Sequence, residues 1–348
     1  MAPTPSKLGY IAPAEWEKHS AVWLAWPYDE TTFPKRIPQA ETVFAQIVKA
    51  IHKGETVKLL VVDLEMKERA GSFLEKVGVD VRKVNFVITR FADVWTRDYG
   101  PIFIVQRLEK KFAWVKWIYN GYGKGDNPYF SPVVRDNDVF NNIELPGEKF
   151  EAGMVLEGGA IDVNGEGACL TTEETLMNPN RNPEKSKNDM EKYLANYLGV
   201  QKTIWLPKGL VNDHTDGHID EVARFVAPNK ILCAYEDDTA DENFKILDDN
   251  YRILKNSVDH NGRSFEVIKL PMPHMRYEDG SKAPVSYSNF YIGNGTVLMA
   301  SFGDPNDEKA RKIITDCFPD RKVTVIDCRE IIYGGGGIHC MTREQPEI

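Results

Sequence analysis

A chain of 348 residues with 42% hydrophobic and 27% charged content has the material for a sizeable core and the balance of a globular protein. Its formal net charge of -9 argues against nucleic acid as the main partner, and no run of about 18 apolar residues offers a membrane span. Its cysteines (Cys169, Cys233, Cys317, Cys328 and Cys340) form no CxxC pair, so reduced thiols are expected rather than a disulfide framework or a structural zinc site.

The first residues, MAPTPSKLGYIAP, lack the apolar stretch of a secretory signal, and a cytoplasmic location is expected. HSAVWLAWP, from His19, reads as a strand. From Arg97 onward a unit recurs: a polar motif, a strand, a turn and a second strand, with helices and further short strands between the later copies. The first copy is RDYGPIFIVQRLEKKFAWVKWIYN. The second, EGGAIDVNGEGACLTT from Glu157, carries the hairpin signal Asn164-Gly165. A third, HIDEVARFVAPNKILCAYE, turns near Pro228-Asn229, and a fourth, SNFYIGNGTVLMASF, turns at Asn294-Gly295. Helices are expected over 184–198, 240–257 and 305–317, with KTIWLP and FEVIKLP as strands following the first two. The last unit, KVTVIDCREIIYGGGGIHCMTREQP, holds one strand after its motif, and its hairpin partner would be the strand at His19.

Motifs at Asp98, Glu157, His218, Ser288 and Cys340 are spaced by roughly 50 to 70 residues. Such a period suggests supersecondary units around an axis, closed into a ring by the N-terminal strand so that no sheet edge stays bare. An ordinary α/β sheet with coincidental spacing is the competing reading. No low-complexity linker divides the chain, so one domain over 1–348 is expected. In a ring, the polar motifs would converge at one end of the axis.

Cys340 follows four glycines in GGGGIHCMTREQP and is read as entering a strand. Glycines there permit a tight turn and a close approach to a ligand, while costing chain entropy. A phosphate-binding loop would need Lys-Ser/Thr and a helix next, and neither follows. The other four cysteines sit in apolar patterns and read as small buried hydrophobes. His218 lies among acids and is read as opening a strand in which Val222, Arg224 and Val226 share its face. His214 and His218 are four apart, which raises a zinc site, but Gly217 argues against a helix and no third ligand is fixed. Asp98 and Glu157 each precede a turn, where acids cap loops or pair with a residue such as Arg97 as readily as they bind ligands. With Asp220 they would form three carboxylates, a match for the planar donors of a guanidinium.

Six segments together resemble the agmatine deiminase family, a branch of the guanidino-group-modifying enzymes that includes arginine deiminases and bacterial peptidylarginine deiminases. They are PAEWEKHSAVWLAWP, WTRDYGPIF, LEGGAIDVNGEG, TLMNPNRNP, TDGHIDEVARF and GGGGIHCMTREQP, in order over nearly the whole chain. The resemblance implies a five-unit pseudosymmetric α/β propeller. It also implies a hydrolase that converts agmatine and water to N-carbamoylputrescine and ammonia through an amidino-cysteine adduct, with no metal or organic cofactor. Cys340 matches the nucleophile, His218 the general acid/base and Glu157 the acid that orients it; Asp98 and Asp220 match the guanidinium clamp. The substrate's amine would fall to Trp95 or to an acid such as Asp213 or Asp216. A homodimer is implied by the resemblance alone.

One departure stands out, since Gly337 occupies a position where the family usually carries Asn, and it places a local hydrogen bond in question. Free or C-terminal peptidyl arginine are alternative substrates; their carboxylate would need a basic group such as Arg343, Arg181 or Arg97. A metal-dependent amidohydrolase built on His214 and His218, and a non-catalytic guanidinium- or polyamine-binding protein, are the readings from other classes.

Overall fold

A computed structural model of the chain describes residues 3–348. Its elements in chain order begin with β1 (His19–Ala25), α1 (Ile37–Ile51), β2 (Thr56–Val61), α2 (Leu64–Lys76) and β3 (Val84–Ile88). A single helical turn, α3 (Thr96–Tyr99), then leads to β4 (Ile102–Gln106), β5 (Lys111–Ile118) and β6 (Glu148–Val155). Next come β7 (Ile161–Val163), β8 (Ala168–Thr172), the short α4 (Glu173–Leu176), α5 (Lys187–Leu198) and β9 (Lys202–Leu206). The remaining elements are β10 (Ala223–Ala227), β11 (Lys230–Tyr235), α6 (Phe244–Asn256), β12 (Glu266–Pro271), β13 (Tyr291–Gly293), β14 (Thr296–Ser301), α7 (Asp307–Cys317), β15 (Lys322–Asp327) and β16 (Arg343–Pro346).

These strands form five small sheets: β4-β5-β6, β7-β8-β9, β10-β11-β12, β13-β14-β15 and β16-β1-β2-β3. The first four repeat one plan, an antiparallel hairpin followed by a crossover to a parallel third strand. A parallel partner requires a long crossover, which is the work of α5, α6 and α7 in three of them. Between β5 and β6 the crossover is instead a 3-10 segment, Pro132–Asn142, in a stretch where Pro128, Pro132 and three glycines oppose a regular helix. The fifth sheet makes its hairpin from distant segments: β1 runs antiparallel to β16 and parallel to β2.

All four expected hairpins are present, three with turns where the Asn-Gly and Pro-Asn dipeptides lie and the first with its charged turn at 107–110. Side-chain chemistry sets the helix bounds. At the start of α5, Ser186 and Asp189 cap each other's backbone N–H groups, which delays the helix three residues beyond its expected start. Along α6, Leu247 and Leu254 are fully buried and cluster with Ile231, Cys233 and Val267 of the sheet below. Each such leucine contributes about 1.5–3 kcal/mol by leaving water. No helix among the described residues is long and apolar enough to cross a membrane.

Candidate functional site

The polar motifs stand at the starts of the hairpins, and the structure brings several of them together. Asp98 is on α3, Glu157 precedes β7, Asp220 lies in a 3-10 turn ahead of β10, and Cys340 is in the turn before β16. All four are buried, as is His218. Asp220 Oδ2 is 3.6 Å from Cys340 Sγ, and His218 Nδ1 is 3.7 Å from Asp98 Oδ1. Gly159 lies among them: a Cβ there would stand 2.7 Å from His218 Nδ1, 2.9 Å from Asp98 Oδ1 and 3.0 Å from Asp220 Oδ2. Only glycine lets these side chains converge, and its N–H donates to Asp98 Oδ1 at 2.9 Å.

Two local expectations are corrected. The strand that His218 was read as opening begins at Ala223, because residues 219–221 turn as a 3-10 helix, so alternation along a strand does not orient the imidazole. Its backbone is held instead by Asp213 and Thr215, whose oxygens accept from His218 N–H at 3.2 Å. Likewise Cys340 does not enter a strand, since β16 starts at Arg343. The Cys340 segment is pinned to its surroundings by Arg97 N–H donating to Cys340 O and by the Thr96 hydroxyl donating to Met341 O.

Asp98 accepts from the Tyr122 hydroxyl at 2.9 Å. Glu157 Oε1 accepts from Arg181 Nε at 2.7 Å, while Glu157 Oε2 and both ring nitrogens of His218 are buried without a hydrogen-bond partner among the described residues. No hydrogen bond joins Glu157 to His218. Asp220 Oδ2 contacts His339 Nδ1 at 2.7 Å, and Nε2 of the same ring contacts Glu15 Oε2 at 2.7 Å. Glu15 in turn receives Arg224 and Arg97, so a buried chain of charge runs from Asp220 away from the thiol. Burial, then the carboxylates of Asp220, Glu221 and Asp98, push the Cys340 thiol well above its ordinary range. The other four cysteines are also raised, by burial first, Cys233 to about 12 and Cys317 to about 11.

Trp95 packs beside the glycine run, where a Cβ on Gly336 would lie 2.6 Å from its ring and 3.2 Å from Cys340 Cβ. Both oxygens of Asp213 accept from Thr215, and Oδ2 also accepts from His218 N–H, so this acid serves its own loop. Asp216 pairs with Arg181 and Lys124. His214 sits against Tyr122 and Phe130, and burial brings it down to about 4. Among the described residues the cluster with metal-ligand spacing is Asp220, Glu221 and Cys340, not the two histidines.

Sequence reasoning passed over three residues. Asn289 donates from Nδ2 to Cys340 Sγ at 3.1 Å and accepts from His339 N–H at 2.8 Å. Glu15 and Glu221 are the others. Asn289 also answers the question at Gly337, since a Cβ there would lie 2.4 Å from Asn289 Oδ1. The hydrogen bond placed in question is thus supplied by a side chain from another unit, and glycine makes room for it. Gly337→Ala is expected to displace Asn289 and lower kcat roughly 10–100-fold with the fold intact; steady-state kinetics beside a circular dichroism spectrum checks this.

A buried thiol ringed by carboxylates, with a histidine at hand, marks the class of thiol-centred sites built for a planar cation. The chain belongs to the Porphyromonas-type peptidyl-arginine deiminase family, which it matches over residues 11–346. It is 36% identical to an agmatine deiminase of Medicago truncatula, with 99% of this chain and 98% of the relative covered. An agmatine deiminase of Stutzerimonas stutzeri is 35% identical over the same shares. The structure of agmatine deiminase of Enterococcus faecalis, described as catalysing its reaction, superposes with a TM-score of 0.89 at 29% identity, covering 100% of this chain and 98% of that one.

Proposed function

We propose that this chain hydrolyses agmatine to N-carbamoylputrescine and ammonia, with Cys340 as nucleophile. Asp98 and Asp220 hold the guanidinium nitrogens so that the central carbon faces Cys340 Sγ. The bound cation offsets the carboxylates that raise the thiol, and the thiolate adds to the carbon. His218 protonates the departing nitrogen, ammonia leaves, and an amidino-cysteine remains. The same histidine then takes a proton from water, which attacks the adduct, expels the thiolate and gives the urea-type product. Glu157, anchored by Arg181, presents its free oxygen to a substrate nitrogen.

The observation that favours agmatine over arginine is that each candidate partner for a substrate carboxylate is already engaged by the protein. Arg181 binds Glu157, Asp216 and the Thr215 carbonyl; Arg97 binds Glu15, Glu344 and the His339 carbonyl. Arg343 donates to the Arg97 carbonyl and lies beside Glu344. A substrate without a carboxylate fits such a site better. Its amine would approach Trp95, and Asp213 could add an acceptor only while still holding its loop. In an ammonia-release assay, agmatine should exceed arginine and a peptide ending in arginine by at least about 10²-fold in kcat/KM. Comparable turnover of arginine would overturn the choice.

The repeated hairpin plan and the β1–β16 pairing support a five-unit α/β propeller closed by β1, as a single domain over 1–348. A cytoplasmic homodimer completes the reading by analogy with the resemblance.

A further inference from the structure

Four carboxyl groups belong to this site, and three of them have partners. Glu157 has Arg181 at 2.7 Å, Asp220 has His339 at 2.7 Å, and Asp98 has the Gly159 N–H and Tyr122 hydroxyl with His218 at 3.7 Å. Glu221 has none of these. Its Oε1 lies 4.0 Å from Cys340 Sγ, its Oε2 is buried without a partner, and no cation among the described residues pairs with it. The adjoining cavity, lined by Ser286, Asn289 and the glycines 335–337, has room for at most one water. Arg224, on β10, is already taken by Glu15, Asp162 and the Phe290 carbonyl.

We propose that Glu221 is a further catalytic group of this site, a carboxylic acid that keeps its proton and donates it as a hydrogen bond to the Cys340 sulfur whenever that sulfur is anionic. A lone buried carboxylate is costly, whereas a neutral carboxyl beside a thiolate is a charge-assisted donor. Two donors then converge on sulfur, Glu221 from one unit and Asn289 from another. The groups facing Glu221 agree with this assignment: burial first, then Asp220 beside it and Asp213 on the preceding loop, push its carboxyl well above the ordinary range, against the opposing Arg224. Tyr277 and Cys340 complete its titratable surroundings.

The inference rests on Cys340 being the nucleophile, and its test separates the two. The pH profile of Cys340 alkylation by iodoacetamide, read site by site by mass spectrometry without substrate, reports the thiol independently of turnover. Glu221→Gln keeps a neutral donor and should leave that profile in place. Glu221→Met keeps the volume but removes the donor; it should move thiol reactivity to higher pH and lower kcat roughly 10²-fold. If Glu221→Gln instead moves the profile to lower pH, or loses as much kcat as Glu221→Met, the group is an ionised base and the proposal falls. It falls equally if Glu221→Met matches the parent. Absence of any substrate adduct on Cys340 in the unsubstituted enzyme would remove the nucleophile reading instead.

Discussion

Replacing Cys340 with alanine is expected to end ammonia release from agmatine, a loss on the order of 10⁴-fold or more, while agmatine still binds. Asp98, Asp220 and Glu157, the groups proposed to hold the cation, remain in place. Binding should even tighten slightly when a buried polar thiol no longer competes for the Asp220 carboxylate. Calorimetric titration of the variant with agmatine, beside a coupled ammonia assay, reads both halves. Acid-quenched parent enzyme should carry the substrate-derived mass on Cys340 and on none of Cys169, Cys233, Cys317 or Cys328, which are buried or half-buried in the core with raised thiols. Ammonia release persisting in the variant would defeat the assignment.

A second large effect is expected on stability, from Glu15→Ala. Glu15 Oε2 stands 2.8 Å from Arg224 NH2, 2.7 Å from His339 Nε2 and 3.3 Å from Arg97 NH2, and Oε1 accepts from Ile292 N–H at 2.7 Å. Truncation leaves two buried guanidinium groups short of an anion, a cost of about 3–5 kcal/mol. Burial alone would raise this carboxyl, but Arg224, His339 and Arg97 together hold it well below the usual range. Its contribution is therefore present above the unfolded carboxyl pKa of about 4.3 and is lost as pH falls toward the folded value. Urea unfolding should show the gap between parent and variant at neutral pH and a narrower gap in acid. A difference below about 1 kcal/mol at neutral pH would contradict the role given to this residue.

What could be read from the sequence follows from how local each signal is. Hairpins were legible because Asn164-Gly165 and Asn294-Gly295 declare their turns within two residues. The residues around Cys340 were legible as a set because each stands in a motif at the start of its unit. Contacts that join units carry no such mark. Glu15 lies within a motif, yet its partners are 82, 209 and 324 residues away. Asn289 reaches Cys340 across 51 residues. Glu221 reads as one acid among several in HIDEVARF, and only the 3-10 turn at 219–221 brings it to the sulfur as well as Asp220. Residues 37–88, with two helices and two strands of the fifth sheet, hold no polar motif and so announced nothing about their place.

The pairing of β16 with β1 also bears on when the protein can work. Residues 19–25 and 343–346 must meet, so the first strand is made long before its partner. At about 5–20 residues per second, the earlier strand waits on the order of a minute or less for its partner, with β2 covering only one of its edges. Through that interval it offers a bare apolar edge to other chains, a hazard during synthesis that the finished sheet no longer presents. The same delay holds for the site: until residues 340–346 are made, a nascent chain has neither the buried thiol nor the strand that follows it.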